Sequence, residues 1–173
     1  FMKKLLILIL LITSINAQVD YDCFIGEGNG NLFYYVRANS GSGSTSFSSG
    51  TNPLDVDVGS NSRPAFADLD GDGDQDCFIG NANGYSKYYE NTGSSTSPSF
   101  TSRSDLVGDV GGNAAPAFAD LDGDGDMDCF IGNSNGYSKY YENTGSSSEP
   151  SFTSRSDLVG DVGGNAAPAF ADL

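Results

Sequence analysis

Short runs of aromatic and branched residues alternate along the chain with turns rich in glycine, asparagine and serine. This pattern is typical of β-strands, because the apolar runs are short and lie between residues that favour turns. No helix of useful length is predicted in the mature chain. One repeat unit is expected to hold four strands and a glycine-rich crossover, at residues 65–69, 77–81, 85–90, 98–106 and 108–115.

A tight hairpin is predicted between the second and third of these strands. Asn83 and Gly84 can supply the two positive-φ positions of such a turn, so the third strand should run antiparallel to the second.

The strand pattern belongs to a long internal repeat. Residues 64–115 recur as residues 116–167, and the two copies differ only at the pairs Gln75/Met127, Ala82/Ser134, Thr96/Ser148 and Ser97/Glu149. A degenerate, partial first unit is predicted at residues 18–63, and the start of a further, truncated unit at residues 168–173. The chain is therefore expected to be a fragment of a longer array.

Four strands per unit with a period near 50 residues are typical of a β-propeller blade. An open β-solenoid is the alternative, but solenoid repeats are usually shorter. The predicted fold is therefore all-β, a β-propeller built of four-stranded antiparallel blades. Because a closed ring takes about 4 to 8 blades, this chain is expected to hold an incomplete set.

Each full repeat opens with an acidic loop of aspartates on alternate residues. Taking Asp68 as the first position, the acids stand at positions 1, 3, 5, 7 and 9, with Gly73 at position 6. Calcium prefers about 6 to 8 oxygen ligands, and a glycine allows the loop to turn sharply. The predicted metal ligands are Asp68, Asp70, Asp72, Asp74 and Asp76 in one copy, and Asp120, Asp122, Asp124, Asp126 and Asp128 in the other. Asp74 is expected to use its backbone carbonyl, and Asp76 to close the site.

Three alternatives fit the acidic loop less well than a calcium site does. An EF-hand requires a glutamate at position 12 and flanking helices, whereas Ile79 and Ile131 stand there between predicted strands. An acidic turn without an ion would leave five close carboxylates repelling one another. Magnesium prefers few carboxylates and retained water. Calcium is therefore the predicted cofactor.

Residues 1–17 are predicted to be a secretory signal peptide. Lys3 and Lys4 precede an apolar run at residues 5–12, and small residues lead to a cleavage site before Gln18. An uncleaved anchor is the alternative. The mature protein is thus expected to be secreted, without a membrane span.

The composition excludes several functions. The formal net charge of -15 disfavours binding to nucleic acid and to anionic membranes. The chain has no histidine, which removes every catalytic scheme that needs an imidazole. The paired aspartates could act as acid and base in glycoside cleavage, but they are better explained as ligands of one ion. The three cysteines are Cys23, Cys77 and Cys129, one at the same place in each of three copies. They are expected to be buried thiols rather than disulfides.

The acidic loop with the following Asp-Cys-Phe-Ile-Gly-Asn run resembles the FG-GAP and VCBS repeats, which form calcium-binding β-propellers in integrin α subunits and in many secreted microbial proteins. The resemblance covers nearly all of the mature chain. It implies that calcium stiffens the blade between its first two strands and performs no chemistry. It also implies that Asp20 and Asp22, in the degenerate copy, bind no calcium, and that Asp172 belongs to a site cut short.

Two functions are compatible with these features. The first is a secreted, non-enzymatic adhesion or binding module for a protein or carbohydrate ligand. The alternative is an accessory domain of a secreted hydrolase or lyase whose catalytic domain lies beyond residue 173. Tyr88 and Tyr89 should point to opposite faces of one strand, so one of them is expected to be exposed. Tyr89 and Tyr141 are therefore candidates for stacking on a ligand.

Overall fold

A computed structural model of the protein describes residues 22–39, 45–146 and 148–171. The predicted signal peptide lies outside the described residues, as do Asp20 and Asp172. Within this part of the chain the secondary structure is entirely β, as the sequence predicts. The same residues include no helix long and apolar enough to cross a membrane.

Eleven strands form three antiparallel sheets in the part of the chain that the structure describes. The first sheet contains β1 (Cys23–Gly26), β2 (Leu32–Asn39) and β3 (Thr45–Ser49). The second contains β4 (Arg63–Ala67), β5 (Asp76–Gly80), β6 (Ser86–Asn91) and β7 (Phe100–Ser102). The third contains β8 (Ala115–Ala119), β9 (Asp128–Gly132), β10 (Ser138–Asn143) and β11 (Phe152–Ser154). Within each sheet, strands that follow one another in sequence are neighbours.

The first sheet corresponds to the last three strands of a full unit. Cys23 pairs with Tyr35 in the first sheet, just as Cys77 pairs with Tyr89 in the second. Strands β1 and β2 are therefore the counterparts of β5 and β6. The extent of the degenerate first unit, residues 18–63, stays a prediction.

The predicted four strands per unit are present, with different bounds. The first strand begins at Arg63 and ends at Ala67, because Leu69 already belongs to the acidic loop and donates its N–H to Asp76. The fourth strand covers only Phe100–Ser102, against the predicted 98–106. Pro98 has no N–H to contribute to a strand ladder, and Leu106 packs against the core cluster instead.

The hairpin between β5 and β6 is wider than predicted. Of Asn83 and Gly84, only Gly84 has a positive φ, of 89°. The turn is held by the buried side chain of Asn81, whose Oδ1 accepts the N–H groups of Asn83 and Tyr85 at 2.9 and 3.2 Å. The side-chain amide thus replaces the second positive-φ residue of the expected tight turn.

Both faces of β5 are buried. Cys77 and Ile79, each fully buried, point toward the first sheet and pack with Leu54. Phe78, also fully buried, points the other way and packs against Ile131 of the third sheet. Successive residues of a strand point to opposite faces, so the run Cys-Phe-Ile places the second sheet between its two neighbours.

The expectation that one of Tyr88 and Tyr89 is exposed is wrong. They do lie in different clusters, but they are only 4% and 9% exposed, because a sheet packs on each face of β6. Tyr141 is partly buried in the same place one repeat later. Among the tyrosines that the structure describes, the exposed ones are Tyr85 and Tyr137, beside the hairpin turns, at 42% and 41%.

The crossover segments tie successive sheets together through backbone hydrogen bonds. The N–H of Ala82 donates to the carbonyl of Ser60 in the preceding crossover, at 2.7 Å. The carbonyl of Ala82 accepts the N–H of Asn113 in the following crossover, at 3.0 Å. Ser134 makes the equivalent two bonds one repeat later. Each hairpin turn is therefore fixed between two crossovers.

Candidate metal centre

The acidic loop connects the first two strands of a full sheet, as the sequence predicts. In the second sheet, β4 ends at Ala67 and β5 begins at Asp76, so the loop lies between them. Asp68, Asp70 and Asp72 each direct one carboxylate oxygen to a common region, with these oxygens within 4.8 Å of one another. The third sheet repeats this arrangement with Asp120, Asp122 and Asp124.

The loop carboxylates also hold the loop backbone in its curled form. Asp68 accepts the N–H groups of Gly71 and Gly73 at 2.7 and 3.1 Å. Asp70 accepts the N–H of Asp72, and Asp72 accepts that of Asp74, at 3.3 and 3.0 Å. The second copy makes the same four bonds. The carboxylates that converge therefore also hold the loop backbone that positions them.

Two glycines of this loop have a backbone conformation that other residues adopt only with strain. Gly71 and Gly73 have φ values of 71° and 96°. A side chain at Gly73 would meet no neighbouring atom within 4 Å, so the requirement for glycine there comes from the backbone and not from crowding. This is the sharp turn that the sequence assigns to the sixth loop position.

The donor set fits a hard divalent cation. Carboxylate oxygens within 4.8 Å of one another can share an ion that binds oxygen at about 2.3 to 2.6 Å. Burial raises the pKa of Asp70 and of Asp74, and repulsion from neighbouring carboxylates raises both further. In addition, Oδ1 of Asp74 is buried without a hydrogen-bond partner. A bound cation would offset the burial of these carboxylates and their mutual repulsion.

Asp74 and Asp76 are not members of the three-carboxylate group among the described residues. Asp76 is fully buried, and its Oδ1 accepts the N–H of Asn91 at 2.7 Å. Its Oδ2 accepts the N–H of Leu69 and the hydroxyl of Tyr88 at 3.1 and 3.3 Å. Asp76 thus links the start of the loop to the end of β6. The roles assigned to Asp74 and Asp76 in binding calcium stay predictions.

The second copy has the same anchor. Asp128 accepts the N–H groups of Leu121 and Asn143 at 3.2 and 2.9 Å, and the hydroxyl of Tyr140 at 3.2 Å. Among the described residues, Asp126 is not a member of the three-carboxylate group formed by Asp120, Asp122 and Asp124.

Burial also shifts the protonation of the anchor in the first copy. It raises the pKa of Asp76 to about 6, although the N–H groups that donate to this carboxylate act to lower its pKa. Removing such a carboxylate from water has a cost that its hydrogen bonds only partly offset.

The anchoring role of Asp76 was missed by sequence reasoning. A carboxylate at position 9 can accept backbone N–H groups as well as bind an ion, and the sequence pattern is the same for both. The one available signal was that Asp76 directly precedes the apolar run of β5, which places it at the start of a buried strand.

The equivalent aspartate of the degenerate first copy has a different environment. Asp22 accepts a hydrogen bond from the hydroxyl of Tyr34 and another from the N–H of Arg37, the latter at 3.0 Å. Unlike Asp76, it is exposed. The prediction that Asp22 binds no calcium remains a prediction.

The cysteines take no part in the site. Cys77 and Cys129 are fully buried, Cys23 is partly buried, and all three are free thiols. Burial raises the pKa of both Cys77 and Cys129 well above the ordinary value. They therefore serve as small apolar side chains between the sheets, as predicted.

Comparison with known protein families gives a match to the two acidic loops. The FG-GAP-like repeat family matches residues 68–131, a range that begins at the first loop aspartate and includes both acidic loops. No curated protein matches the chain, and no solved structure does. The matched range contains the same loops that the motif resemblance singled out. This chain therefore carries FG-GAP-like repeat sequence across the two loops and the strands between them.

Proposed function

We propose that this chain is a secreted β-propeller repeat protein that binds structural calcium and serves as a non-enzymatic adhesion or ligand-binding module. The observation that carries the proposal is the convergence of three loop carboxylates in each of two repeats. FG-GAP-like repeats are found in β-propeller domains, and the match covers both of these loops.

Calcium is the cation that the loop suits best. Each loop offers several carboxylates within one turn of backbone, whereas magnesium prefers fewer carboxylates and keeps its water. Asp68, Asp70 and Asp72 would hold the ion by their side chains. A bound calcium ion would supply positive charge against these carboxylates and no bond-making chemistry.

The position of the loop explains why such an ion would stabilise a sheet. The loop joins β4 to β5, and Asp76 ties it to Leu69 and to Asn91 at the end of β6. Repulsion among the loop carboxylates acts to open this connection, and a cation between them would oppose that opening. Fixing the loop therefore fixes the relative positions of three strands.

The propeller arrangement is supported by the order and packing of the strands. Each full sheet is a four-stranded antiparallel meander, as in a propeller blade. The first strand of the second sheet, β4, packs beside the first strand of the third, β8. In a propeller, the innermost strands of neighbouring blades lie beside one another around the central channel.

A binding role fits the exposed groups better than catalysis does. The chain has no histidine, and the loop aspartates are engaged in holding their own backbone. Tyr85 and Tyr137 are exposed at equivalent places, with the ammonium groups of Lys87 and Lys139 at 6.0 and 5.7 Å from their ring centres. These tyrosines replace Tyr89 and Tyr141 as candidates for contact with a protein or carbohydrate ligand outside the cell.

The proposal is tested by thermal unfolding with and without a calcium chelator. The unaltered protein is expected to melt at a lower temperature after chelation, and the double variant Asp72→Ala with Asp124→Ala should show no such difference. Asp55→Ala, which removes an exposed aspartate outside the loops, is the matched control and should keep the full calcium effect. Identical melting curves of the unaltered protein with and without calcium would overturn the proposal.

A further inference from the structure

A cavity of about 730 Å³ lies between the first and second sheets and is called here the inter-sheet cavity. Volumes of about 300 to 1,000 Å³ are typical of sites for small molecules. Four partly buried aromatic side chains line it: Phe24, Tyr34, Phe66 and Phe100. In the order Tyr34, Phe24, Phe66, Phe100, neighbouring ring centres lie 4.8, 4.8 and 6.5 Å apart. The rings therefore form one continuous apolar surface.

The same four-ring arrangement is closed between the second and third sheets. The equivalent rings there are Phe78, Tyr88, Phe118 and Phe152. Phe78 and Tyr88 are 0% and 4% exposed, and Met127 packs against their cluster. The residue equivalent to Met127 in the preceding repeat is Gln75, which lines the inter-sheet cavity. One of the four differences between the two full repeats thus places a polar side chain at the open junction and an apolar one at the closed junction.

Three polar side chains that line the cavity offer both acceptors and donors. Asp74 is only 7% exposed, and its Oδ1 has no hydrogen-bond partner. Its predicted ligand to calcium is the backbone carbonyl, so the carboxylate stays available as an acceptor. Oδ1 of Asn91 accepts the N–H groups of Gly93 and Ser99 at 3.2 and 2.9 Å, which orients the amide and leaves Nδ2 as a donor. Gln75 is exposed, and its amide both donates and accepts.

This combination matches the chemistry of a neutral sugar. A hydroxyl group donates and accepts hydrogen bonds, so it can pair with the carboxylate and with both amides, while the C–H face of a sugar ring packs on aromatic rings. An ammonium ligand would also suit aromatic rings and a carboxylate, but it donates only and would leave the amide donor of Asn91 unpaired. An acidic sugar would be repelled by Asp22 and Asp74, which both line the cavity.

We propose that the inter-sheet cavity binds a short neutral saccharide, which packs on the aromatic rings and bonds through its hydroxyl groups to Asp74, Gln75 and Asn91. This inference rests on the proposed ligand-binding function, and it adds the site and the class of ligand. The site is separate from the exposed tyrosines at the hairpin turns, because neither Tyr85 nor Tyr137 lines the cavity.

The test is saturation-transfer NMR of the full chain in calcium, with disaccharides of glucose, galactose, mannose and N-acetylglucosamine as probes. At least one of these sugars is expected to bind, and its dissociation constant is then measured for the variants. Gln75→Met should weaken binding by about tenfold, because it removes an amide and introduces the side chain of the closed junction. Asp74→Asn should weaken binding by about tenfold or more, because hydrogen bonds to a charged group are the stronger ones.

Met127→Gln is the matched control, because it makes the reverse exchange at the equivalent position outside the cavity. It should leave sugar binding unchanged, and circular dichroism checks that each variant folds. Binding of none of these sugars, or binding of tetramethylammonium chloride in their place, overturns the inference. Binding that Gln75→Met and Asp74→Asn leave unchanged, or that Met127→Gln weakens equally, also overturns it.

Thermal unfolding of the same protein with and without a calcium chelator separates this inference from the proposed function. A calcium effect on melting without sugar binding overturns the saccharide site alone. Sugar binding without a calcium effect overturns the structural role of calcium and leaves the saccharide site standing.

Discussion

Phe78→Ala is the substitution that probes the packing between the second and third sheets. Phe78 is 0% exposed, and its ring lies 5.3 Å from Phe118, 5.5 Å from Tyr88 and 6.2 Å from Phe152 between ring centres. Truncating a fully buried phenylalanine to alanine costs about 3–5 kcal/mol, from lost transfer free energy and from the cavity that remains. Two of its ring partners, Phe118 and Phe152, belong to the third sheet, which limits how far the site can collapse. We therefore expect a loss near the middle of that range.

The assay is urea unfolding followed by circular dichroism, because the chain has no tryptophan for fluorescence. It is run in calcium and at a protein concentration at which the chain is monomeric. Tyr85→Ala is the control, since this aromatic side chain is exposed and should cost less than about 1 kcal/mol. A loss below about 1 kcal/mol for Phe78→Ala would refute the stacking of the two sheets on this residue.

Three further predictions concern the loop and the thiols. Gly73→Ala should lower the free energy of unfolding in urea by about 1–2 kcal/mol, because residue 73 has a positive φ. The control Gly108→Ala, in open space, should lower it by almost nothing. Equal losses in the two variants would contradict the prediction. Without calcium, the free energy of unfolding should fall as pH rises through about 4 to 6. Burial raises the pKa of Asp76 from 3.8 to about 6, so the folded chain binds that proton more tightly than the unfolded chain does. A rising profile would contradict the assignment, and Asp76→Asn should flatten the slope. Cys77 and Cys129 should resist a thiol reagent until the protein unfolds, since burial raises the pKa of both. The measurement uses the Cys23→Ser variant, because Cys23 is a free thiol that is only partly buried, and rapid labelling of this variant in its folded state would contradict the burial of the other two.

The sequence predicts the number and type of strands well, because the repeat shows the same short apolar runs twice. It places strand ends less well. Leu69 looks like the end of an apolar strand, but its N–H is used by Asp76 across the loop. A contact between residues seven positions apart leaves no local signal in the pattern.

The burial of the two tyrosines shows a second limit. The sequence correctly places Tyr88 and Tyr89 on opposite faces of one strand, but it says nothing about what covers each face. In a stack of sheets both faces of an inner sheet are covered, so both tyrosines are buried. Exposure here depends on contacts between repeats, which the pattern within one repeat does not contain.

The sequence predicts the candidate metal site more accurately than it predicts the ends of strands or the exposure of the tyrosines. The alternation of aspartates predicts which carboxylates can converge, and the first three of each loop do so. The second function of Asp76, as an acceptor for Leu69 and Asn91, could not be predicted. A carboxylate has several lone pairs, and it can serve the backbone and an ion at once.

The central claim, that each of two acidic loops holds one calcium ion, is tested most directly by isothermal titration calorimetry of the calcium-free chain. We expect two calcium ions per chain, one for each cluster of three carboxylates. Asp72→Ala should reduce this to one ion, and adding Asp124→Ala should abolish binding while circular dichroism still shows a β-sheet fold. No calcium binding by the unaltered chain, or two bound ions in the double variant, would contradict the account.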